Sequence, residues 1–222
     1  MKKRAHTRRW TALKRLAILL ALILALDALG LYHVLPVQAM RQCAASAALG
    51  DVEIVKTMSD RRLDWGRYYL CANEDAVALL GTQFHPLLGW QRQFAPFAPL
   101  TGDEPVKACY QNFNRDGQDT SVFYVFGRID DPGVKSITLR IYWYGDQTDV
   151  DTFADIPGSA YLEHGGHTYF LADMSSLWLQ PAEDYGNTKL TAAGQTFLTP
   201  YLADGTALPE YEIQYGSWTM LD

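Results

Sequence analysis

The run Val122-Phe123-Tyr124-Val125-Phe126-Gly127-Arg128-Ile129-Asp130-Asp131-Pro132-Gly133-Val134-Lys135-Ser136-Ile137-Thr138-Leu139-Arg140-Ile141-Tyr142-Trp143 decides the fold class. Its first eight residues are β-branched or aromatic apart from Gly127 and Arg128, the composition of a strand. Asp130-Asp131-Pro132-Gly133 is turn chemistry: acids that bond their own backbone, a proline that presets φ, a glycine free to take either sign. After the turn, Ile137, Leu139, Ile141 and Trp143 alternate with Ser136, Thr138, Arg140 and Tyr142. A period of two puts the first set on one face and the second on the other, so this is a half-buried strand.

Outward from this unit the same signals recur. Residues 161–164 and 167–172 flank Gly165-Gly166, a two-residue loop of the kind that primed hairpin turns require. Tyr211, Ile213 and Tyr215 alternate as a closing strand would. Upstream, 67–72 and 76–84 read as two strands around the polar turn Asn73-Glu74-Asp75, and 52–58 and 106–113 read as further strands. Residues 85–100 hold three prolines and read as an irregular packed connection. Residues 40–49 are Ala-rich and run to Gly50, a helix with a glycine stop. No internal repeat is present. The expectation is a mainly β protein: an N-terminal transmembrane helix followed by an antiparallel β-sandwich-like extracytoplasmic domain. A β-hairpin region (51–120) and a second β module (121–222) divide near Thr120 and pack together.

The N-terminus sets location. Seven Lys or Arg precede Leu16 with no acid among them, and 16–35 is almost wholly apolar. Twenty residues at 1.5 Å each span roughly 30 Å, a bilayer's hydrocarbon thickness. Basic flanks stay inside, so residues 1–15 are expected in the cytoplasm, 16–35 as a signal anchor, 36–50 as a helical stalk and the rest outside. Asp27 is the exception within the segment, costing about 2.5–3.5 kcal/mol at mid-span. Nine leucines and three other branched residues, each contributing about −0.3 to −0.6 kcal/mol, outweigh it. Asp27 either marks a function within the membrane or lies beyond a short signal-peptide core that ends near residue 26. Val37-Gln38-Ala39 has the small-residue character of a cleavage site, so cleavage near Ala39 is the alternative to an uncleaved anchor.

The chain has 19 Lys and Arg against 25 Asp and Glu. Removing the seven bases and one acid of residues 1–39 leaves 12 bases and 24 acids, a formal charge of −12 on 183 residues. So acidic a body is ill suited to nucleic acid, which is bound through basic patches. Thirteen Tyr, nine Phe and six Trp favour strands and also supply the side chains of carbohydrate platforms. Cys71 and Cys109 can pair outside the cytoplasm, leaving Cys43 alone; three buried or unpaired thiols are the alternative.

Candidate chemistry is sparse. Asn112, Asn114 and Asp116, followed by Gly117, match the opening of an EF-hand-type calcium loop, but Phe123 stands where the closing Glu belongs. A polar turn before a strand accounts for the same residues. Asp146, Asp149, Asp151 and Asp155 form an acidic cluster that wraps a cation or, more simply, blunts a sheet edge. His164 and His167 face each other across the Gly-Gly turn, two of the three or four ligands that zinc takes. A Cys109/His85 or Cys71/His85 pair would have to meet in space. The acid pairs Asp103/Glu104 and Glu183/Asp184 are adjacent residues that point to opposite faces of a strand. No Gly-x-Ser-x-Gly, His-Glu-x-x-His or phosphate loop occurs.

The stretch Val125-Phe126-Gly127-Arg128-Ile129-Asp130-Asp131-Pro132-Gly133-Val134-Lys135-Ser136-Ile137-Thr138-Leu139, then Tyr169-Phe170-Leu171 and Ala182-Glu183-Asp184-Tyr185-Gly186-Asn187, resembles small immunoglobulin-like β modules. Such modules occur in uncharacterised membrane-anchored extracytoplasmic proteins of Gram-positive bacteria. The resemblance covers about a third of the chain, departs from the pattern in the extra length around 145–158, and implies a display domain without an implied activity. The expected function is therefore non-enzymatic binding of a partner protein or cell-envelope polymer, with calcium as the one candidate cofactor. The alternative is a cell-envelope hydrolase with a site assembled from distant residues. A flat aromatic face or open sheet edge would favour the first, a polar cleft with convergent acids or a Cys–His pair the second.

Overall fold

A computed structural model describes residues 2–63, 66–113, 122–145, 149–179 and 190–216. The protein is mainly β, with antiparallel sheets. Helix α1 (Lys2–Ala28) and helix α2 (Pro36–Ser46) precede strands β1 (Glu53–Asp60), β2 (Gly66–Ala72), β3 (Ala76–His85), β4 (Gly89–Phe94) and β5 (Phe97–Pro99). Then come β6 (Val106–Phe113), β7 (Val122–Ile129), β8 (Val134–Gly145), β9 (Val150–Asp155), β10 (Tyr161–His164) and β11 (His167–Asp173). A short helix α3 (Ser175–Leu179) and strands β12 (Leu190–Leu202) and β13 (Tyr211–Tyr215) complete the order.

The apolar segment 16–35 is not one helix. Gly30 takes φ 68°, and the amides of Gly30 and Leu31 bond back to the carbonyls of Asp27 and Leu26. That is a Schellman cap, which closes α1 at Ala28. Pro36 then occupies the first turn of α2, where its missing N–H costs nothing. Among the described residues, no helix is long and apolar enough to cross a membrane.

Asp27 sits at this junction. Its carboxylate accepts from the Val34 amide (3.1 Å) and from Gln38 Nε2 (2.9 Å), while Gln38 Oε1 accepts from the Leu35 amide (2.8 Å). One glutamine thus caps α2 and ties it to the end of α1.

The expected stalk is a docked helix. Ala39, Met40, Cys43 and Ala44 are buried against Tyr69, Cys71, Ala78 and Leu80 of β2 and β3. It ends earlier than Gly50: Ala48 adopts φ 56°, and the amide of Leu49 reaches the Ala44 carbonyl.

The first sheet runs β1-β2-β3-β4, with β5 paired to β3. The connection expected to be irregular between 85 and 100 therefore supplies two strands. Pro86 lies in the turn between β3 and β4, where no ladder bond is lost. Opposite the helix, Tyr68, Leu70, Val77, Leu79 and Phe94 meet Cys109, Val122, Tyr124, Phe126 and Leu171 of the second sheet. The change of sheet falls between β5 and β6, since β6 pairs with β7 from Val106↔Ile129 to Phe113↔Val122; it does not fall near Thr120.

The second sheet runs β10-β11-β7-β6-β13-β12-β8-β9 and folds over on itself. Val125, Phe123 and Phe170 from one leaf pack on Ile137, Leu139, Ile141 and Leu198 from the other. β13 joins the leaves, antiparallel to β12 and parallel to β6 through Gln214↔Cys109 and Tyr215↔Tyr110. Strand β7 is therefore buried on both faces: Phe123 and Val125 in one core, Val122, Tyr124 and Phe126 in the other. This explains why its sequence is a continuous apolar run and that of β8 alternates.

Candidate functional site

The outer face of the β12-β8-β9 leaf carries the alternation read from β8. With Ile137, Leu139, Ile141 and Trp143 turned inward, Thr138, Arg140, Tyr142 and Tyr144 are left on the outside. Register places Phe197 of β12 and Phe153 of β9 on either side of Arg140, and Gln195 and Asp151 on either side of Tyr142. Phe153 is 62% exposed and Tyr144 47%.

Arg140 is pinned flat in this row. Its Nε and Nη2 donate to Glu210 at 3.0 and 2.6 Å, and Nη1 donates to Asp151 at 2.9 Å. The guanidinium carbon lies 4.0 Å from the centre of the Phe197 ring, a cation–π stack. The Glu210 hydrogen bonds hold the guanidinium firmly charged, and Arg140 in turn keeps the Glu210 carboxyl below its usual range. Tyr142 donates its hydroxyl to Asp149, which pushes the phenol up to about 12, and its ring meets that of Tyr144 edge-on at 5.3 Å. The result is a pre-ordered row of aromatic rings bordered by fixed charges.

This arrangement also accounts for the acidic cluster. Asp149, Asp151 and Asp155 bond to Tyr142, Arg140 and Thr138 respectively, and β9 is the edge strand that they line; Asp146 lies outside the described residues. Their carboxylates cross-brace β8 and β9, and none of the three is turned toward a common point where a cation would sit.

A second feature lies at the opposite junction of the sheets. An open cleft of about 700 Å³ is bounded by Asp51, Glu53 and Glu74 on one side and by Arg128, His164 and His167 on the other. His164 pairs with His167 across Gly165 (φ 57°) and Gly166 (φ 80°), the primed turn that the two glycines predict. His164 Nε2 is 3.4 Å from Glu53 Oε2, an electrostatic contact with an alignment too poor for a hydrogen bond and charged only when the ring carries its second proton. Arg128 is drawn aside by Asp130 at 2.5 Å. Among the described residues, no three His, Cys, Asp or Glu side chains gather closely enough to hold a metal ion.

The remaining sequence candidates are dispersed. Asn112 lies in β6 opposite Phe123, with its side-chain oxygen buried; Asn114 and Asp116 lie outside the described residues, as do Glu183 and Asp184. Glu104 is tied to the buried Lys107 at 2.6 Å. Cys43, Cys71 and Cys109 are free and buried, so the Cys71–Cys109 bond is not formed. Cys71 faces α2, where its thiol contacts Met40, while Cys109 faces the core between the sheets. Burial pushes the Cys43 thiol up to about 11 and Cys71 to about 12, and raises Cys109 well above its ordinary value. Neither Cys71 nor Cys109 can act as a thiolate with His85, which stands at the end of β3.

One polar network had no sequence signal. Arg62 bonds to Asp60 at 2.6 Å, to Asp173 at 2.5 Å and to Ser175 Oγ at 3.1 Å, and Tyr124 donates to Asp60 at 2.5 Å. Ser175 Oγ also accepts from the Phe123 amide and donates to Asp173. The group stitches β1 to β7, β11 and α3, with the Ser175 hydroxyl and the Asp173 carboxylate both bound within it. Arg62 reaches Asp173 and Ser175 across 111 and 113 residues of chain, beyond any motif.

Comparison with protein-family models, with curated proteins and with solved structures finds no match.

Proposed function

We propose that this protein is a membrane-tethered extracytoplasmic binding module whose outer β12-β8-β9 face takes a glycan chain of the cell envelope. The observation carrying this reading is the strip formed by Tyr142, Tyr144, Phe153 and Phe197 around Arg140. The exposed rings of Tyr144 and Phe153 on a braced sheet offer apolar area at low entropic cost, as binding surfaces do. The surrounding Asp151, Glu210, Gln195 and Thr138 present polar groups in fixed directions, suited to hydroxyls. Fixed partners on Arg140 mean that little has to be ordered when a ligand arrives.

The basic N-terminus followed by a leucine-rich segment supports the tether. The acidic, aromatic body suits an extracytoplasmic display domain of the immunoglobulin-like kind that its turn chemistry resembles. The hydrolase alternative would operate in the cleft at Glu53 and His164. There Glu53 Oε2 stands 3.4 Å from His164 Nε2, while Arg128 is held by Asp130.

Co-sedimentation of the purified protein with insoluble cell-wall polysaccharide tests the proposal. The variant Tyr144→Ala/Phe153→Ala should lose at least about tenfold in affinity, as two stacked aromatic anchors would cost, with an unchanged melting temperature. Wild-type binding by this variant would exclude the face, and binding abolished by Glu53→Gln with release of reducing sugar would transfer the function to the cleft.

A further inference from the structure

The exposed aliphatic side chains of the body are gathered in one place. Leaving α1 aside, the large aliphatics exposed among the described residues belong to two adjoining segments. Leu29, Leu31, Val34 and Leu35 lie in the link between the helices, at 70%, 67%, 42% and 54% exposure. Leu87 and Leu88, at 82% and 52%, form the tip of the β3–β4 hairpin, with Phe84 beside them at 51%.

The two segments are held together. The Trp90 amide donates to the His33 carbonyl at 2.9 Å, and His33 bridges both Gly89 and Trp90. The Tyr32 ring lies so close under Gly89 that a side chain there would strike it. His33 is fixed from the other side by Gln42 at 2.9 Å, and Phe84 packs edge-on against Trp90. Between residues 84 and 90 there is no Lys, Arg, Asp or Glu. An apolar patch of this kind on a highly acidic protein is an interaction surface, not ordinary surface scatter.

Its place in the fold identifies what covers it. The 29–35 link, with the hairpin tip bonded to it at His33, runs on from the C-terminal end of α1, whose Leu16, Ile18, Leu20, Leu22 and Leu24 are more than half exposed. The leucine-rich part of α1, residues 16–28, is thirteen residues long, about 20 Å at 1.5 Å per residue, and carries Asp27 at its C-terminal end, bonded to the Val34 amide and Gln38. The hydrocarbon core is about 30 Å thick. A helix that stops short is accommodated where neighbouring apolar groups enter the bilayer beside it.

We infer that the β3–β4 hairpin tip and the 29–35 link form an apolar collar that sinks into the same lipid surface that receives α1. The occupant is the lipid bilayer, and the inference rests on the proposed membrane tether. Interfacial apolar faces bury about 5–10 Å deep, which makes up the length that α1 lacks. Trp90 and Tyr32 then stand at headgroup level, where amphipathic rings gather. Strand β3 has ten residues, roughly 30 Å at 3.3 Å each, and leads from the collar to the Asn73–Asp75 turn. The cleft beside Glu74 is thereby held away from the bilayer.

The test uses the full chain in vesicles of phosphatidylcholine and phosphatidylglycerol, with or without doxyl-labelled lipid. An environment-sensitive fluorophore is placed on Leu87→Cys in one sample and on Glu74→Cys in another; both positions are exposed, and the native thiols are buried. The expected result is blue-shifted emission at position 87 that loses about half its intensity or more to doxyl lipid, with no change at position 74. Protein that floats with the vesicles while position 87 stays water-exposed and unquenched overturns the collar and leaves the tether intact. Protein that fails to float overturns the tether and the collar together.

Discussion

Gln38 donates its side-chain amide to Asp27 across 2.9 Å, so the acid interrupting the apolar N-terminal segment clasps one helix to the next. The residue read as either an intramembrane functional group or the edge of a signal-peptide core has a definite structural task. Asp27→Ala should loosen the junction between α1 and α2, because it removes the acceptor of the Val34 amide and of Gln38 Nε2. Its specific signature is faster hydrogen exchange at the amides of Val34 and Leu35. Asp27→Asn keeps an acceptor and should show a smaller effect.

Ala48 is the only non-glycine residue at positive φ among those described. A Cβ in that region costs on the order of 1 kcal/mol. Ala48→Gly should therefore raise stability by at most about 0.5 kcal/mol once the greater entropy of glycine in the unfolded chain is subtracted. Thermal unfolding of the two proteins side by side measures it; a destabilised variant would mean that the Ala48 methyl makes contacts that outweigh its strain.

Strand β7 contributes to two cores at once, so neither core can melt alone while β7 stays in place. Phe123→Ala and Phe126→Ala remove fully buried rings from opposite faces. Each should cost about 3–5 kcal/mol. Both variants should still unfold in one transition by near- and far-ultraviolet circular dichroism; two resolved transitions would show that the sheets are independent domains.

Acid should loosen the stitch between the sheets. Burial pushes the Asp60 carboxyl up, and hydrogen bonds from Arg62 and Tyr124 more than offset it, so the folded group titrates below its ordinary 3.8. Stability from such a group is complete above the unfolded value and is lost as pH falls through the folded one. The melting temperature should drop as the pH is taken below about 4, and Asp60→Asn should be less stable at pH 7 and show a shallower drop.

The three thiols should be silent toward Ellman's reagent in the native protein and react fully in denaturant, taking three alkyl groups per chain without reductant. One alkyl group in place of three would reveal a disulfide that the structure, with Cys71 on the α2 side of the first sheet and Cys109 in the core between the sheets, does not permit.

Much of this was legible in the chain itself, for physical reasons. The alternation from Ser136 to Trp143 told which side chains face out, and hence where the aromatic strip lies. The Gly165-Gly166 turn set the His164–His167 register. What stayed hidden depended on partners or on masked signals. β9 was obscured by Asp149, Asp151 and Asp155, whose charge suits a loop until Tyr142, Arg140 and Thr138 bind them. β12 begins with Thr191-Ala192-Ala193-Gly194, weak strand formers, and carries Pro200, which is tolerated because pairing with β13 covers only Thr196 to Leu198. The end of α1 turned on Gly30, a single stop within an otherwise leucine-rich run.

The parallel pairing of β13 with β6 joins Gln214 to Cys109, residues that emerge far apart in time during synthesis. The two leaves have no shared strand until β13 arrives, so the double layer can close only after almost the whole described chain has been made. Contacts so distant along the chain slow folding. The double layer therefore stays open until the last described strand has been made.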